Sequence, residues 1–180
     1  MTNKSEIQLL KPSALLKEAA IDYRQEHFDT GEYVINGSGL FDKITDYDEW
    51  LEQVIANSCT DTVNPNWVLT DTFFAVRRFD NKIIGIIDLR YQLNEFLKDL
   101  GNCGYSVRPS ERKKGYATEM LKQVCQKAKE YGLAELKLSV EKDNISSIRT
   151  IQKNGGVFRY SFCFEDKEAD VYTIELQEGK

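Results

Sequence analysis

The strongest constraint on the fold is a helical segment that lies between two strand-like segments in the middle of the chain. Apolar residues recur with a helical period over residues 116–131, and Gly132 follows as a C-terminal glycine. Residues 103–107 are typical of a strand, which Pro109 stops. Residues 134–140 alternate between apolar and polar, the period of a strand. This order predicts an α/β (α+β) fold in which the two strands flanking the helix run parallel.

Further strands are predicted on both sides of this unit. Residues 72–79 and 83–91 are rich in β-branched and aromatic side chains, and the turn residues between them predict an antiparallel hairpin. The second of these segments is apolar on both faces and is expected at the centre of the sheet. A short strand is predicted at residues 7–10, and residues 157–165 and 171–176 are predicted to complete the sheet as a hairpin.

Three further helices are expected. One opens near Pro12 and Ser13, and a second is capped by Thr45. Another begins at Asp143 or Asn144, since both are capping residue types. Together these elements predict a mixed, mostly antiparallel sheet of about six to seven strands with about four helices packed on it. The isoleucines of the last helix are expected to face inward: Ile145, Ile148 and Ile151.

Length, charge and hydropathy narrow the class of protein. The chain has 180 residues and a net charge of -5, and its mean hydropathy is -0.48. This length fits one domain, and the lack of a long apolar run excludes a membrane span. The acidic balance argues against nucleic-acid binding. The first residues lack a secretory signal pattern, so we expect a cytoplasmic protein.

Neither the cysteines nor the histidine predict a metal site. The four cysteines are widely spaced and form no Cys-x-x-Cys pair, so we expect buried, reduced thiols. The single histidine, His27, has acidic neighbours and is expected at the surface. The cysteines are Cys59, Cys103, Cys125 and Cys163.

The chemistry of the chain is concentrated in the basic turn that leads into the central helix. A helix N-terminus presents backbone N–H groups without partners and the positive end of the helix dipole, which together bind phosphate. Gly115 lets the backbone approach a phosphate, and Ala117 allows the helix start to pack closely. Arg112, Lys113 and Lys114 add positive charge. By itself this hexapeptide is typical of any basic loop that caps a helix, but the strand before it and the helix after it favour phosphate binding.

The chain resembles the GNAT superfamily of N-acetyltransferases. The Arg/Gln-x-x-Gly-x-Gly/Ala turn of that family is matched by Arg112, Gly115 and Ala117. GNAT proteins follow the helix with a strand and an Asn-led helix that ends near a glycine pair, matched here by Asn144 and residues 155–156. Two competing phosphate-binding motifs, Gly-x-x-x-x-Gly-Lys-Ser/Thr and Gly-x-Gly-x-x-Gly, are not found in the sequence.

The resemblance implies one domain over residues 1–180 and a slot for acetyl-CoA where the sheet splays apart. Residues 83–164 would form the acetyl-CoA-binding core, and residues 1–70 would shape the acceptor side. The backbone of Ser106 and Val107 would bind the pantetheine amides.

The remaining cofactor contacts implied by the resemblance lie at two helix starts. Asn144 would hold the pantetheine arm with its side chain or act only as a helix cap, and both roles can hold together. The pyrophosphate would be held by the N–H groups of Arg112, Lys113, Lys114, Gly115, Tyr116, Ala117 and Thr118.

The general acid of the family is missing at its usual place. Many GNAT enzymes carry an acid tyrosine seven residues after the Asn, and Ile151 occupies that position here. Tyr105, Tyr160 and Tyr172 are candidate substitutes from neighbouring strands, and each is also typical of a half-buried strand aromatic.

Two carboxylates are candidates for the general base. Asp88 interrupts a central apolar strand, and Glu141 stands at the end of the strand that borders the slot. Asp88 alternatively is a hydrogen-bonded structural carboxylate, and Glu141 a solvated loop charge.

The resemblance implies transfer of an acetyl group from acetyl-CoA to a primary amine of a small molecule or a peptide by direct attack. The alternative is a non-catalytic acyl-CoA-binding or sensing module, which Ile151 favours. A homodimer and a monomer are both compatible with the sequence.

Overall fold

The computed structural model describes residues 5–177 and contains two antiparallel sheets. The first sheet has the order β1-β2-β3-β4, and the second has the order β5-β7-β6. The strands of the first sheet are β1 (Ile7–Leu10), β2 (Thr70–Arg77), β3 (Ile83–Arg90) and β4 (Tyr105–Val107). Those of the second are β5 (Glu135–Glu141), β6 (Val157–Phe164) and β7 (Lys167–Glu175). The α-helices are α1 (Lys17–Asp29), α2 (Tyr47–Asn57), α3 (Tyr116–Tyr131) and α4 (Ile145–Lys153).

The two sheets meet at one short junction. Gly101 forms an isolated antiparallel bridge with Leu138, and the backbone N–H of Asn102 donates to the carbonyl of Lys137 at 2.7 Å. The mixed α+β class is confirmed, whereas the expected single sheet is divided at this point. Within residues 5–177 no parallel ladder forms, because β4 and β5, the strands flanking α3, diverge beyond the junction without pairing.

The first sheet is covered by helices on both faces. Met120 and Val124 of α3 pack on one face, and Tyr23 of α1 and Trp50 of α2 pack on the other. All residues of β3 from Ile83 to Leu89 are buried, which confirms the predicted central position of this strand. The apolar run in the sequence therefore corresponds to a strand with two buried faces.

Two details of the helix starts differ from the predictions. Asp46, and not Thr45, caps α2, since its Oδ1 accepts from the N–H groups of Asp48 and Glu49 at 2.8 and 3.0 Å. Asn144 caps α4 as expected. The expectation that all isoleucines of α4 face inward is wrong for Ile145, whose position in the first turn leaves it 51% exposed.

The final hairpin is tighter than predicted. β6 and β7 are separated by only Glu165 and Asp166, both at positive φ, so the charged residues that follow belong to β7 and not to the turn. The turn needs only two residues because both adopt left-handed backbone geometry of the kind found in two-residue hairpins.

The cysteines do not all match their predicted burial. Cys103 is buried and Cys125 is half-buried, whereas Cys59 and Cys163 are exposed. All four are free thiols. Among residues 5–177, no helix is long and apolar enough to cross a bilayer, and no group of three or more side chains is arranged to hold a metal ion.

Candidate active site

The divergence of β4 from β5 exposes the backbone edge of β4. The N–H of Asp88 donates to the carbonyl of Gly104 at 3.1 Å, so backbone alternation turns Ser106 towards β3 as well. The Ser106 carbonyl also accepts from the Tyr23 hydroxyl at 3.1 Å. The expectation that the Ser106 backbone faces the slot is therefore wrong. The slot-facing backbone groups belong to Tyr105 and Val107.

The turn before α3 presents a row of backbone N–H groups. From Lys113 to Thr118 these groups donate to no acceptor within the part of the chain that the structure describes. Gly115 has a φ of +85°, and a Cβ built on it meets nothing within 4 Å, so the space beside this backbone is open. Successive free N–H groups at the start of a 16-residue helix form an anion-binding concavity. The geometry therefore fits a phosphate group.

Two of the three cations of this turn are already paired with carboxylates. The Arg112 guanidinium donates two hydrogen bonds of 2.6 Å to Glu32 and a third, of 3.2 Å, to the Val107 carbonyl. The Lys114 ammonium donates to Glu111 at 2.8 Å. The charge that these two side chains were expected to add at the turn is therefore shared with carboxylates. Only Lys113 has no carboxylate partner among residues 5–177.

Glu111 holds the turn before α3 in place through its hydrogen bonds. This carboxylate is buried and accepts from Arg77 at 2.9 Å, Lys82 at 3.0 Å and Lys114 at 2.8 Å. The Lys114 hydrogen bond, followed by those of the other two cations, lowers the pKa of Glu111 to about 2. The carboxylate therefore joins the end of β2, the connection between β2 and β3, and the turn before α3 in one charged cluster.

His27 is not the surface residue that the sequence predicts. Its side chain is buried, and Nδ1 lies 3.2 Å from Glu32, the carboxylate that holds Arg112. Burial lowers the pKa of His27, so a neutral ring donating from Nδ1–H satisfies this contact. Nε2 is buried without a partner in the described residues. The spacing of four residues from Tyr23, another buried residue of α1, is the sequence signal for this burial.

Glu32 thus receives hydrogen bonds from both α1 and the turn before α3. The Arg112 hydrogen bonds lower the pKa of Glu32 to about 2, which keeps it ionised at neutral pH. One carboxylate therefore connects the loop after α1 to the turn before α3.

Tyr105 is the only tyrosine candidate for the acid that points across the slot to α4. Its hydroxyl lies 2.6 Å from the Ser147 hydroxyl, and burial raises its pKa well above the ordinary value. Ser147 was not predicted from the sequence. The signal for it is the helix cap, because the Asn144 side chain accepts from the Ser147 N–H at 3.1 Å.

The residue at the family's usual acid position and the two other candidate tyrosines make contacts away from the slot. Ile151 is buried and its side chain lies against Gly156, in the core and not in the slot. Tyr160 donates its hydroxyl proton to Asp99, and Tyr172 packs edge-on against Phe158.

The two base candidates differ in availability. Asp88 is buried, accepts from the Gly104 N–H at 2.6 Å and pairs with Arg90 at 3.0 Å. These contacts favour the structural alternative for Asp88. Glu141 is half-exposed at the end of β5, and its only charged partner in the described residues is Lys167 at 2.9 Å.

Comparison with known proteins identifies the class of protein to which this fold and turn belong. The family model of the acetyltransferase (GNAT) domain matches residues 28–157. The chain therefore belongs to the GNAT acetyltransferase family and is an acyltransferase. No curated protein sequence matches it.

Solved structures share the fold at low sequence identity. The microcin C7 self-immunity acetyltransferase MccE, in complex with acetyl-CoA and AMP, has a TM-score of 0.72 at 15% identity, over 96% of this chain and 93% of that chain. The protein yncA from Salmonella typhimurium, with its cofactor acetyl-CoA, has a TM-score of 0.67 at 14% identity, over 97% and 96%. Mutant forms of the spermidine/spermine N-acetyltransferase SpeG from Vibrio cholerae reach 0.64 at 14% identity, over 96% and 95%.

The charged cluster at Glu111 predicts that the folded protein loses stability at low pH. The pKa of this carboxyl in the folded protein is about 2, against an ordinary value of 4.5, so it stabilises the fold fully above pH 4.5 and loses that contribution as the pH falls towards 2. Glu111→Gln should lower the free energy of unfolding at neutral pH by roughly 2 to 3 kcal/mol, because Lys82 and Lys114 keep contact with water. In the variant, the free energy of unfolding should also fall less steeply as the pH is lowered from 4.5 towards 2. Urea unfolding at a series of pH values tests both effects.

Glu49→Gln is the matched control, since it removes the same charge from an exposed position on α2. If the free energy of unfolding of Glu111→Gln falls with decreasing pH as steeply as that of the unsubstituted chain, Glu111 is not the source of the acid sensitivity.

Proposed function

We propose that this protein is an N-acetyltransferase that binds acetyl-CoA between β4 and β5 and transfers the acetyl group to a primary amine. The observation that carries the proposal is the row of free N–H groups from Lys113 to Thr118, which faces open space beside an unpaired strand edge. Membership of the GNAT family supports the same reading.

The binding residues follow from the free backbone groups. The N–H groups from Lys113 to Thr118 hold the pyrophosphate, and the Lys113 ammonium adds charge to it. The Tyr105 backbone and the Val107 N–H bind the pantetheine amides as an added strand would, while the Val107 carbonyl accepts from Arg112. The free amide of the Asn144 side chain meets the pantetheine arm while its oxygen caps α4.

Tyr105 is the proton donor in this proposal. When bound, acetyl-CoA supplies an activated acetyl thioester whose thiol has a pKa of about 8.5, so the leaving group needs little acid assistance. Burial raises the pKa of Tyr105, so its hydroxyl stays protonated at neutral pH; it can donate a hydrogen bond to the departing sulfur and cannot act as a base. The Ser147 hydroxyl orients the phenol from 2.6 Å away.

Glu141 is the better-placed base. An alkylammonium with a pKa near 10.4 leaves about one molecule in 2,500 unprotonated at pH 7, so a base or a water relay assists attack. The Asp88 carboxylate already accepts hydrogen bonds from the Gly104 N–H and from Arg90 Nε. Glu141 instead borders the slot at the end of β5 and remains half-exposed, so it can accept a proton through solvent.

The acceptor side of this proposal is built from residues 1–70, and the cofactor core from residues 83–164. We propose a small-molecule or peptide amine as acceptor, and the SpeG fold neighbours, described as spermidine/spermine N-acetyltransferases, make polyamines the first amines to test. The free thiols are compatible with a cytoplasmic location, which stays a prediction. The second candidate function, a non-catalytic acyl-CoA sensor, is favoured by the apolar Ile151 in the core.

Gly115→Val tests cofactor binding. The added side chain would enter the open space that the phosphate needs, and we expect calorimetry to show at least a tenfold weaker binding of coenzyme A. Gly132→Val is the matched control, because Gly132 also has a positive φ with open surroundings but ends the same helix. Equal affinity in the two variants, with both folded, would disprove the placement of the phosphate.

Tyr105→Phe tests catalysis separately from binding. We expect kcat to fall by about a hundredfold, the low end for acid catalysis, with coenzyme A affinity unchanged. The assay is thiol release from acetyl-CoA with polyamines, aminoglycosides and peptide N-termini as acceptors. If coenzyme A binds but no amine raises thiol release above hydrolysis, the sensor function replaces the enzyme. If release occurs and Tyr105→Phe leaves kcat unchanged, the proton donor is a different group.

A further inference from the structure

Helix α1 is fastened to the end of β4 by side-chain contacts. The Tyr23 hydroxyl donates to the Ser106 carbonyl at 3.1 Å. One helical turn later, the buried ring of His27 packs edge-on against Tyr23, with the two ring centres 4.8 Å apart. The position of His27 is therefore tied to β4 through Tyr23.

Glu32, in the loop after α1, is placed by two contacts with His27. Its backbone N–H donates to the His27 carbonyl at 2.9 Å, and its carboxylate lies 3.2 Å from His27 Nδ1. The C-terminus of α1 thus fixes both the backbone and the side chain of Glu32. A carboxylate held in this way loses little further freedom when it binds a cation.

Arg112 connects Glu32 back to β4. Its two terminal nitrogens donate to the Glu32 carboxylate at 2.6 Å each, and its Nε donates to the Val107 carbonyl at 3.2 Å. A pair with two parallel hydrogen bonds fixes the orientation of a guanidinium more strictly than a single contact does. The contacts that leave β4 at Ser106 therefore return to it at the next residue, Val107.

The backbone directly after Arg112 has an uncommon conformation. Lys113, the first residue of the row of free N–H groups, has a φ of +62°, which residues other than glycine seldom adopt. Such a conformation persists where the surrounding contacts hold the chain in place. The pair of Arg112 with Glu32 is a contact of this kind, directly before the row.

We propose that Glu32 is a positioning residue for the turn before α3. It holds Arg112, and through Arg112 it keeps the N–H groups from Lys113 to Thr118 in the direction that binds the pyrophosphate of coenzyme A. This role rests on the proposed function, because it requires that the turn binds the pyrophosphate. Glu32 acts through Arg112 and does not itself touch the cofactor.

The burial of His27 supports a role beyond packing. Its Nε2 is buried with no partner in the described residues, so the imidazole costs the fold free energy that a ring without nitrogen would not. The hydrogen bond from Nδ1 to Glu32 is the contact that such a ring would lose. His27 therefore stands behind Glu32 in the same series of contacts.

Two ligands separate positioning of the turn from general damage to the fold: coenzyme A, and pantetheine, which lacks the pyrophosphate. By calorimetry, Glu32→Gln should weaken the binding of coenzyme A by about tenfold, because Arg112 loses a charged acceptor, and should leave the binding of pantetheine unchanged. Asp22→Asn is the matched control. Asp22 is an exposed carboxylate of α1 that pairs with Arg108 at 2.9 Å, and its loss should change the affinity for neither ligand.

A double-mutant cycle tests whether Glu32 acts through Arg112. Arg112→Met removes the guanidinium and keeps a side chain of similar length, so it should weaken coenzyme A binding about as much as Glu32→Gln does. The double variant Glu32→Gln, Arg112→Met should bind coenzyme A no more weakly than the weaker single variant, because both changes break the same contact. Additive losses would show that the two residues act separately and would overturn the proposal.

His27→Phe tests the contact behind Glu32 without changing a charge at the turn. The variant keeps an aromatic ring against Tyr23 and loses the Nδ1 hydrogen bond. We expect coenzyme A to bind about threefold more weakly, with little change in the midpoint of urea unfolding.

The preference for coenzyme A over pantetheine separates failure of this role from failure of the proposed function. If the unsubstituted chain binds coenzyme A no more tightly than pantetheine, the turn does not hold the pyrophosphate and both proposals fail. If the preference is present but Glu32→Gln weakens both ligands equally, or neither, the positioning role alone is wrong. Tighter binding of coenzyme A by Glu32→Gln would also overturn it, since Glu32 would then compete with the pyrophosphate for Arg112.

Discussion

The junction at Gly101 and Asn102 is the constraint on which the site depends. Here the backbone of one sheet bonds to Lys137 and Leu138 of the other, and a Cβ on Gly101 would lie 2.4 Å from the Lys137 carbonyl. Only a glycine permits so close an approach at its φ of +87°. Because the sheets are joined at this end, β4 and β5 can separate at the other end. The separation leaves the slot-facing edge of β4 unpaired by any strand of the described residues, with the Val107 carbonyl accepting from Arg112.

The turn before α3 is held by carboxylates rather than left as a basic patch. Glu111 pairs with Lys114 but shares its charge with Arg77 and Lys82, and Glu32 pairs with Arg112 from the loop after α1. The attraction for phosphate therefore depends mainly on oriented N–H groups and on Lys113. A fixed array of dipoles costs little reorganisation when an anion binds, which is why a chain of net charge -5 can still carry an anion site.

The elements of this fold were predictable where a periodic pattern was strong. Helix α3 and the buried strand β3 have the predicted places because their apolar periods determine which faces are covered. The turn was predictable because Gly115 directly precedes a helix. Which residues of β4 turn their backbone groups towards the slot was not predictable. A strand of three residues gives no signal of which backbone groups face β3.

Long-range contacts account for the remaining differences. The pairs of Arg112 with Glu32 and of Tyr105 with Ser147 join residues that are 80 and 42 positions apart, and no local pattern indicates them. The acidic sequence neighbours of His27 predict a surface position, but a helix turns such neighbours to different faces. The sequence thus predicts an anion-binding turn, and the structure shows which charges of that turn are already paired.

The most direct measurement of the central claim is hydrogen exchange at single backbone amides, followed by NMR with and without coenzyme A. We predict that the amides from Lys113 to Thr118 exchange rapidly in the free protein and become protected on binding. The first-turn amides of α2, Asp48 and Glu49, already donate to Asp46 and should not change. Binding of coenzyme A that leaves the amides from Lys113 to Thr118 unprotected would contradict the account.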